Sequence, residues 1–565
     1  MSSCLKALMV LVALLLGPVP AKARVQEPDK RAAEVQALLA SWDRSDAPGA
    51  TVTVRLDGRI VAEVAVGAAD LEHDVPIRQT TVFHAASLSK QVTAFSILLL
   101  ERDGLLSIDD PLVAYVPEAA HLGPITLRQL LDHTSGLRDQ WTLLAMAGWR
   151  SEDLVTDDQV LRLVLSQDKG NFAPGTAYQY TNSGYSLLAE VVYRVSGQRL
   201  AAFAEKQIFE PLGMSETRFQ DDLSAVIEDR ALSYRPGSEG YVGEVLNYAT
   251  AGPSGLKTTS WDLTRWAENF ETGAVGGQGV IKRMREQGVL PDGTVNIYAL
   301  GQERRLYRGL ETWSHGGRDA GYRSFLLRVP SERFSVAVLS NAADFDTAAI
   351  AFAIADIYLS DRVGYELQSA PAEEQPSAEQ LAAYVGDYEI FPGLILSIRT
   401  EADRLMFSVL GEGEPVELPA LSPTSFELNP RTDLAIEFHE PVDGQAPGLG
   451  YRIGMHGTLI APRVDLVDFS PDDGAPEEYV GRYYSPELQT EYLLLVADGV
   501  LVARHARRPD IALQPYQPDT FSSSQSFFQR VVFERDAAGQ LIGFWLSGVV
   551  AEDIYFALQA ATVNP

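Results

Sequence analysis

Two predicted β-hairpins stand at opposite ends of residues 31–359, and this placement limits how that part of the chain can fold. Residues 50–67 are rich in β-branched residues on both sides of a turn at Asp57-Gly58. Residues 322–340 form a second pair of strands around a turn at 330–333. Helical patterns lie between and beside them, at 31–42, 91–102 and 347–359. A sheet assembled from both ends, with helices between its strands, predicts an α/β sandwich of the α+β class.

Beyond residue 380 the pattern changes to short strands and turns, and it repeats at an offset of 95 residues. Tyr384-Val-Gly matches Tyr479-Val-Gly, and residues 418–426 match residues 513–521. Several landmarks that keep one spacing indicate a duplicated unit. We therefore predict two small all-β domains of barrel-like form.

The N-terminal segment has the features of a secretory signal. Lys6 precedes an apolar run at 7–16, and Ala21-Lys22-Ala23 offers a cleavage site. The run is shorter than the about 20 residues that cross a bilayer, so an uncleaved anchor is the less favoured alternative. We expect a periplasmic or secreted protein that is free of the membrane once the signal is cleaved.

These patterns divide the chain into five predicted segments. They are a signal peptide (1–23), an α+β domain (24–366), a linker rich in Pro, Ala and Glu (367–379), a first β domain (380–470) and a second β domain (471–565).

Composition excludes several function classes. The single cysteine, Cys4, leaves with the predicted signal, so neither a disulfide nor thiol catalysis is expected in the mature chain. The net charge of −30 argues against nucleic acid and against anionic membrane surfaces as partners. The eight histidines include no His-Glu-x-x-His motif, and no Gly-x-Ser-x-Gly occurs, which disfavours metallohydrolases and α/β-hydrolases.

The tetrapeptide Ser87-Leu88-Ser89-Lys90 opens the apolar helix predicted at 91–102. Residues three apart share one face of a helix, so a hydroxyl would lie beside an amine. A hydroxyl is a poor nucleophile until a neighbour accepts its proton, and lysine can do so only if burial or a second cation lowers its pKa. Backbone N–H groups at a helix N-terminus can hold an oxyanion. The motif predicts acyl transfer through a serine ester.

The same tetrapeptide pattern occurs twice more. Ser166–Lys169 ends an amphipathic segment, which is typical of a helix C-terminus, where lysine suits the helix dipole. Ser254–Lys257 lies in a loop rich in glycine and proline. Only the Ser87 copy begins a long apolar helix, and we expect it to be the functional one.

Two further motifs have both a structural and a catalytic interpretation. His133 lies beside Asp132, but sequence neighbours do not face one another on a helix, so we favour a helix end capped by Gly136. Tyr180-Thr181-Asn182 precedes an apolar helix. In the structural interpretation, Asn182 or Ser183 is the N-cap of that helix. In the catalytic interpretation, an adjacent lysine ammonium lowers the pKa of the Tyr180 phenol enough to make it a base.

A third motif, His315-Gly316-Gly317-Arg318, stands just before the second hairpin. It is either a glycine turn or a place where glycines let a substrate lie against a strand edge.

Taken in order, Ser87-x-x-Lys90, residues 125–137, Tyr180-x-Asn182 and His315-x-Gly317 resemble the class C β-lactamase and penicillin-recognising serine hydrolase family. That family includes D-alanyl-D-alanine carboxypeptidases, D-aminopeptidases and esterases. The two β domains are similar in architecture to the paired barrels of the D-aminopeptidase branch. The resemblance implies a β-lactamase-like fold, and its chemistry needs no metal or organic cofactor.

The resemblance also implies residue roles. Ser87 would be the nucleophile, while Lys90 and Tyr180 would share the proton transfers, with the identity of the base left open. Asn182 would contact the acyl-group amide. The backbone N–H groups of Ser87 and Arg318 would form the oxyanion hole.

One departure from the family matters for the substrate. Its β-lactamases have Lys-Thr-Gly where this chain has His315-Gly316-Gly317. Lysine is a permanent cation for a substrate carboxylate, whereas histidine is mostly neutral near pH 7. This disfavours β-lactam hydrolysis, although Arg318 and Arg323 could supply a carboxylate site.

We expect a secreted serine hydrolase for a short peptide or other small substrate, most simply a D-amino-acid or peptidoglycan-type peptide. A carboxylesterase, then a β-lactamase, are the alternatives within the family. A non-catalytic penicillin-type sensor is the alternative from another class. Residues 516–529 of the second β domain are expected to wall the active site.

Overall fold

The computed structural model describes residues 30–360, 375–409, 412–429, 434–452, 458–466 and 476–560. The predicted signal peptide and residues 367–374 of the predicted linker lie outside these ranges. Within the described ranges, none of the helices combines the length and the apolar character needed to cross a membrane.

The α-helices of the described residues are concentrated in the first domain. They are α1 Lys30–Leu38, α2 Ser89–Arg102, α3 Leu127–Leu131, α4 Gln140–Met146, α5 Asp157–Leu165, α6 Ser183–Ser196, α7 Leu200–Ala204, α8 Glu210–Leu212, α9 Ser260–Thr272, α10 Gly277–Met284, α11 Thr347–Leu359 and α12 Ala378–Tyr384. The helices predicted at 91–102 and 347–359 are confirmed. The one predicted at 31–42 ends as an α-helix at Leu38 and continues as a 3-10 turn, Ala40–Trp42.

The strands of the first domain are β1 Ala50–Leu56, β2 Arg59–Val66, β3 Ala68–Asp70, β4 Val75–Pro76, β5 Phe83–His84, β6 Val155–Thr156, β7 Arg218–Phe219, β8 Ser233–Gly237, β9 Gly240–Glu244, β10 Tyr248–Ala249, β11 Leu256–Thr258, β12 Glu303–Tyr307, β13 Leu310–Asp319, β14 Tyr322–Val329 and β15 Phe334–Ser340. Six of them form an antiparallel sheet in the order β12-β13-β14-β15-β1-β2. β1 pairs with β15, so the two predicted hairpins meet in one sheet as expected.

The two faces of this sheet bury different side chains. On β15, Val336 and Val338 join a core with Ile354 of α11, whereas Ala337 and Leu339 join the core that contains the helices of the other layer. This alternation follows from the two-residue period of a strand. The sheet therefore lies between two helical layers, which confirms the predicted α+β sandwich.

Each β domain is a single curved sheet. In the first, the order is β19-β18-β17-β16-β23-β22-β21-β20, which is nearly closed, and in the second, β24 to β31 form a closed barrel. The strands are β16 Gly386–Phe391, β17 Leu394–Glu401, β18 Arg404–Val409, β19 Glu412–Leu418, β20 Ser425–Asn429, β21 Leu434–Phe438, β22 Gly448–Arg452, β23 Thr458–Val464, β24 Gly481–Ser485, β25 Thr490–Ala497, β26 Val500–Arg504, β27 Ile511–Gln517, β28 Thr520–Ser522, β29 Arg530–Arg535, β30 Leu541–Gly548 and β31 Ala551–Leu558.

The repeat found in the sequence is a structural repeat. Tyr388 Oη donates a hydrogen bond of 2.8 Å to the carbonyl of Tyr384, and Tyr483 Oη donates one of 2.9 Å to the carbonyl of Tyr479. Equivalent residues thus make the same contact in both copies, which confirms the predicted duplication.

Candidate active site

Ser87 lies in a 3-10 turn, Ala86–Leu88, between β5 and α2. Ala86 has a φ of 48°, in the left-handed region that a non-glycine residue rarely adopts. Two hydrogen bonds hold this turn: Ser89 Oγ donates to the Ala86 carbonyl at 2.6 Å, and Ser324 Oγ donates to the Ala85 carbonyl at 2.7 Å. The serine is therefore presented by a fixed backbone directly before the helix, as the sequence predicts.

Lys90 is fully buried next to this serine. Its Nζ lies 3.2 Å from Ser87 Oγ, 2.8 Å from Asn182 Oδ1 and 3.0 Å from the carbonyl of Pro253. Burial lowers the pKa of Lys90 from 10.5 to about 7, although the negative charges of Asp139 and Asp319 act in the opposite direction. A substantial fraction of the side chain is consequently a neutral amine at pH 7.

Tyr180 completes the group around Ser87, and its ring lies 4.7 Å from Lys90 Nζ. Burial raises the pKa of the Tyr180 phenol far above its ordinary value, and a hydrogen bond with Ser87 only partly opposes this. The prediction that an adjacent ammonium lowers this pKa is wrong, because burial disfavours the charged phenolate and is the largest influence on the group. The phenol is therefore a proton donor at neutral pH.

Asn182 stands at the start of α6, but its side chain does not cap that helix. Its Oδ1 accepts from Lys90, while its backbone N and its Nδ2 donate to Asp139 Oδ2 at 2.7 and 2.8 Å. The other Asp139 oxygen accepts from the backbone N–H of Trp141 and Thr142 at the N-terminus of α4. A rigid helix end thus orients the amide that binds the lysine.

Sequence reasoning missed Asp139. The available signal was an aspartate directly before a short helical stretch, which is the usual N-cap pattern. Such a pattern predicts a cap but not the second contact, with Asn182.

His133 packs against the segment that carries Tyr180. It is fully buried, its Nδ1 accepts from the Thr181 backbone N–H at 3.3 Å, and its ring centroid is 4.3 Å from that of Tyr180. The structural interpretation is confirmed. Gly136, however, is not the helix cap, because α3 ends earlier. It has a φ of 74°, and a Cβ there would lie 2.1 Å from the Phe172 carbonyl oxygen.

The C-terminal part of β13 runs beside the serine turn. β12 pairs with β13 only as far as Ser314, so residues 315–319 extend past it. A Cβ on Gly317 would lie 2.4 Å from the Ala85 carbonyl oxygen and 3.1 Å from Ala86 Cβ. This glycine lets the strand approach the backbone that carries Ser87. That it also makes room for a substrate stays a prediction.

His315 is buried, with both ring nitrogens in contact with the protein. Nε2 lies 2.9 Å from Tyr298 Oη, and Nδ1 lies 2.6 Å from the Gly316 carbonyl. Burial, and secondly the charge of Lys90, lower its pKa to about 3, so the ring is neutral as expected. Its role in substrate binding stays a prediction. No sequence signal pointed to Tyr298, which reaches His315 from a loop.

The two arginines differ in what they can offer a substrate. Arg318 is exposed, and its backbone follows Gly317 on β13. Arg323 Nη1 donates to the carbonyls of Ala320 at 2.8 Å and Tyr322 at 2.7 Å. Because these carbonyls engage Arg323, the geometry does not favour a paired arginine site for a carboxylate.

The second β domain borders the site through one turn. The Val550 carbonyl accepts from the backbone N–H of Asp139 at 2.9 Å and from Asn171 Nδ2 at 3.2 Å. Below it, Arg138 forms a buried ion pair with Glu487 at 2.6 Å. Residues 516–529 were expected to make the wall. Ser526 of this segment contacts the turn, because its carbonyl accepts from the Val549 N–H at 3.0 Å, and the wall itself stays a prediction.

The other two Ser-x-x-Lys copies lie where the sequence predicts. Ser166 is the C-terminal cap residue of α5, and Ser254 precedes β11 in a loop. That loop nevertheless touches the site, because the carbonyl of the preceding residue, Pro253, is a partner of Lys90.

The profile of the Beta-lactamase family matches residues 32–359. The chain belongs to this family. A D-aminopeptidase from Brucella anthropi is 26% identical over 524 residues, an alignment that covers 88% of this chain and 94% of the relative. The family match and this relative together identify the chain as a serine hydrolase.

Solved structures show the same fold. An octameric penicillin-binding protein homologue from Pyrococcus abyssi superposes with a TM-score of 0.54 at 21% identity, covering 76% of this chain and 99% of its own. A D-amino acid amidase from Ochrobactrum anthropi SV3 has a TM-score of 0.51 at 20% identity, covering 58% of this chain and 97% of its own.

Proposed function

We propose that this protein is a peptidase that releases D-amino acids from short peptides or amides through an ester on Ser87. The observation that carries the proposal is the buried contact of 3.2 Å between Lys90 Nζ and Ser87 Oγ, in which the lysine pKa is about 7. An amine in this state can accept a proton from a serine hydroxyl at neutral pH. D-aminopeptidase relatives that align over most of this chain support the substrate class.

We assign the residue roles from the family resemblance together with this geometry. Neutral Lys90 accepts the proton of Ser87 Oγ as that oxygen attacks the substrate carbonyl. The N–H groups of Ser87 and Arg318 stabilise the oxyanion. Tyr180, which keeps its proton, donates it to the leaving nitrogen and is reprotonated from Lys90. The C–N bond breaks, leaving an acyl-Ser87.

Deacylation reverses these proton movements. Water loses a proton to Lys90 and attacks the ester carbonyl. Ser87 Oγ then leaves and takes up a proton that the pair of Lys90 and Tyr180 returns to it. Asn182 holds Lys90 in place and offers its amide to the acyl group.

The surroundings of the site favour peptides with an uncharged C-terminal side over β-lactams. Neutral His315 stands where the β-lactamases of this family carry a permanent cation, and Arg323 is engaged by backbone carbonyls. A carboxylesterase is the second candidate, since the same neutral site accepts ester substrates.

A substrate panel tests this function. The substrates are the p-nitroanilides of D-alanine and L-alanine, p-nitrophenyl butyrate and a chromogenic cephalosporin, given to the wild type, Ser87→Ala and Ser166→Ala. Cleavage of the D-alanine anilide that is lost only in Ser87→Ala supports the proposal. Serine-dependent cleavage of the ester alone identifies an esterase. Absence of any turnover by the wild type favours the sensor interpretation.

We also propose export to the periplasm or the medium, which rests on the signal-like pattern of residues 1–23. N-terminal sequencing of protein recovered from the periplasmic and extracellular fractions tests this. A mature chain that begins near Arg24 supports export, and a full-length chain confined to the cytoplasm contradicts it.

A further inference from the structure

A second polar cluster lies at the end of β13, beside the Ser87 turn. Asp319 Oδ2 is 3.0 Å from His84 Nε2 and 3.0 Å from Ser254 Oγ. Tyr248 Oη is 2.9 Å from the same Ser254 hydroxyl. His84 and Ser254 are buried, whereas the Asp319 side chain is 23% exposed. A carboxylate that reaches solvent is thus held from behind by two buried groups.

This cluster is not a second catalytic triad. In a Ser-His-Asp triad the serine and the aspartate contact opposite nitrogens of the imidazole. Here Ser254 Oγ, at 3.1 Å, and Asp319 Oδ2 both contact Nε2 of His84. Burial lowers the pKa of His84 to about 4, so the ring is a neutral donor. His84 and Ser254 therefore orient the carboxylate without neutralising its charge.

Three chain segments place this carboxylate close to the nucleophile. Asp319 directly follows Arg318, the proposed oxyanion donor, and Ser254 directly follows Pro253, whose carbonyl binds Lys90. His84 stands three residues before Ser87. The negative charge of Asp319 acts to raise the pKa of Lys90, which agrees with this proximity.

The carboxylate also has an unused side. Among the described residues, His84 is the only basic side chain within ion-pair distance of Asp319, and both hydrogen bonds of Asp319 use Oδ2. The charge of buried Lys257 acts to lower the pKa of His84. In the described part of the chain, Lys257 makes no ion pair with Asp319. Oδ1 makes no hydrogen bond or ion pair with the described residues and is available to a ligand, and a carboxylate that is held on one side can accept a hydrogen bond from a cation on the other.

We propose that Asp319, held by His84 and Ser254, is the subsite for the protonated primary amine of the substrate's acyl part. This inference rests on the proposed function and deepens it, because it makes a free amino group next to the scissile carbonyl the recognised feature. The ammonium group donates to Asp319 Oδ1 while the carbonyl oxygen lies at the N–H groups of Ser87 and Arg318.

Asp319→Asn tests the subsite, because the amide keeps the shape and can still accept from His84. A hydrogen bond to a charged group contributes about 1.5–3 kcal/mol, which corresponds to about 10–100-fold. We expect the ratio of kcat/KM for D-alanine p-nitroanilide to that for p-nitrophenyl butyrate to fall by this factor, mainly through KM. Asp103→Asn is the matched control, since it removes one carboxylate at the far end of α2.

Two further measurements keep the subsite testable apart from peptidase activity. n-Propylammonium should protect Ser87 from a fluorophosphonate probe in the wild type, and at least tenfold less in Asp319→Asn, while propionate should not protect. Ser254→Ala, which loosens the carboxylate, should weaken protection by a smaller factor.

The outcomes separate the two claims. If the wild type does not cleave the anilide but n-propylammonium protects Ser87 through Asp319, the proposed function fails and the subsite stands. An unchanged substrate ratio in Asp319→Asn, or equal protection of the two proteins, overturns the subsite.

Discussion

The buried amine of Lys90 should set the pH at which the enzyme becomes active. Its pKa falls from 10.5 to about 7, which corresponds to about 5 kcal/mol against the charged form at this position. Only the neutral amine can accept the Ser87 proton, and its fraction falls tenfold for each pH unit below the pKa. We therefore expect kcat/KM to rise with a midpoint near pH 7, and to be about 100-fold below its plateau at pH 5.

The assay is kcat/KM between pH 5 and 9 with p-nitrophenyl butyrate, for the wild type and two variants. Asp139→Asn removes a negative charge that stabilises the Lys90 ammonium, so the midpoint should move to lower pH. Tyr180→Phe should lower kcat by about 100-fold or more without moving the midpoint, because the phenol stays protonated over this range.

Two outcomes refute this reasoning. A kcat/KM that does not change from pH 5 to 8 would show that Lys90 does not titrate as the proton acceptor. A midpoint that moves to higher pH in Asp139→Asn would show that a group other than Lys90 controls the rise of kcat/KM with pH.

Two structural predictions concern the supports of the site. Gly317→Ala should lower kcat/KM more than tenfold and destabilise the fold by about 1–3 kcal/mol, because the added Cβ would lie 2.4 Å from the Ala85 carbonyl oxygen. An unchanged activity and Tm would contradict this close approach. Glu487→Gln leaves the buried Arg138 charge unpaired and should destabilise the protein by about 3–5 kcal/mol in thermal unfolding. Glu491→Gln, which breaks an exposed pair, should change stability by less than about 1 kcal/mol, and equal effects of the two variants would contradict the buried pair's importance.

The elements with strong local patterns were predictable from the sequence. α11 has the predicted bounds, the hairpins pair within one sheet, and the 95-residue repeat yields two related β domains. Ser87 and Lys90 were predictable for the same reason, because a three-residue spacing on a helix brings two side chains together without any tertiary information.

The parts that were missed depend on distant segments or on burial. Ser254 and His84 are 170 residues apart, and Asp139 reaches Asn182 only because two helix starts meet. The predicted sign of the pKa shift of Tyr180 was wrong because burial, which the sequence does not show, is the largest influence on this phenol and raises its pKa.

The central claim is that catalysis proceeds through an ester on Ser87, and trapping that ester tests it most directly. The protein is mixed with p-nitrophenyl butyrate, quenched in acid within the first turnover, digested and examined by mass spectrometry. The account predicts one butyryl group on the peptide that contains Ser87, and none in Ser87→Ala. A butyryl group on another residue of the wild type, or one that persists in Ser87→Ala, would contradict it.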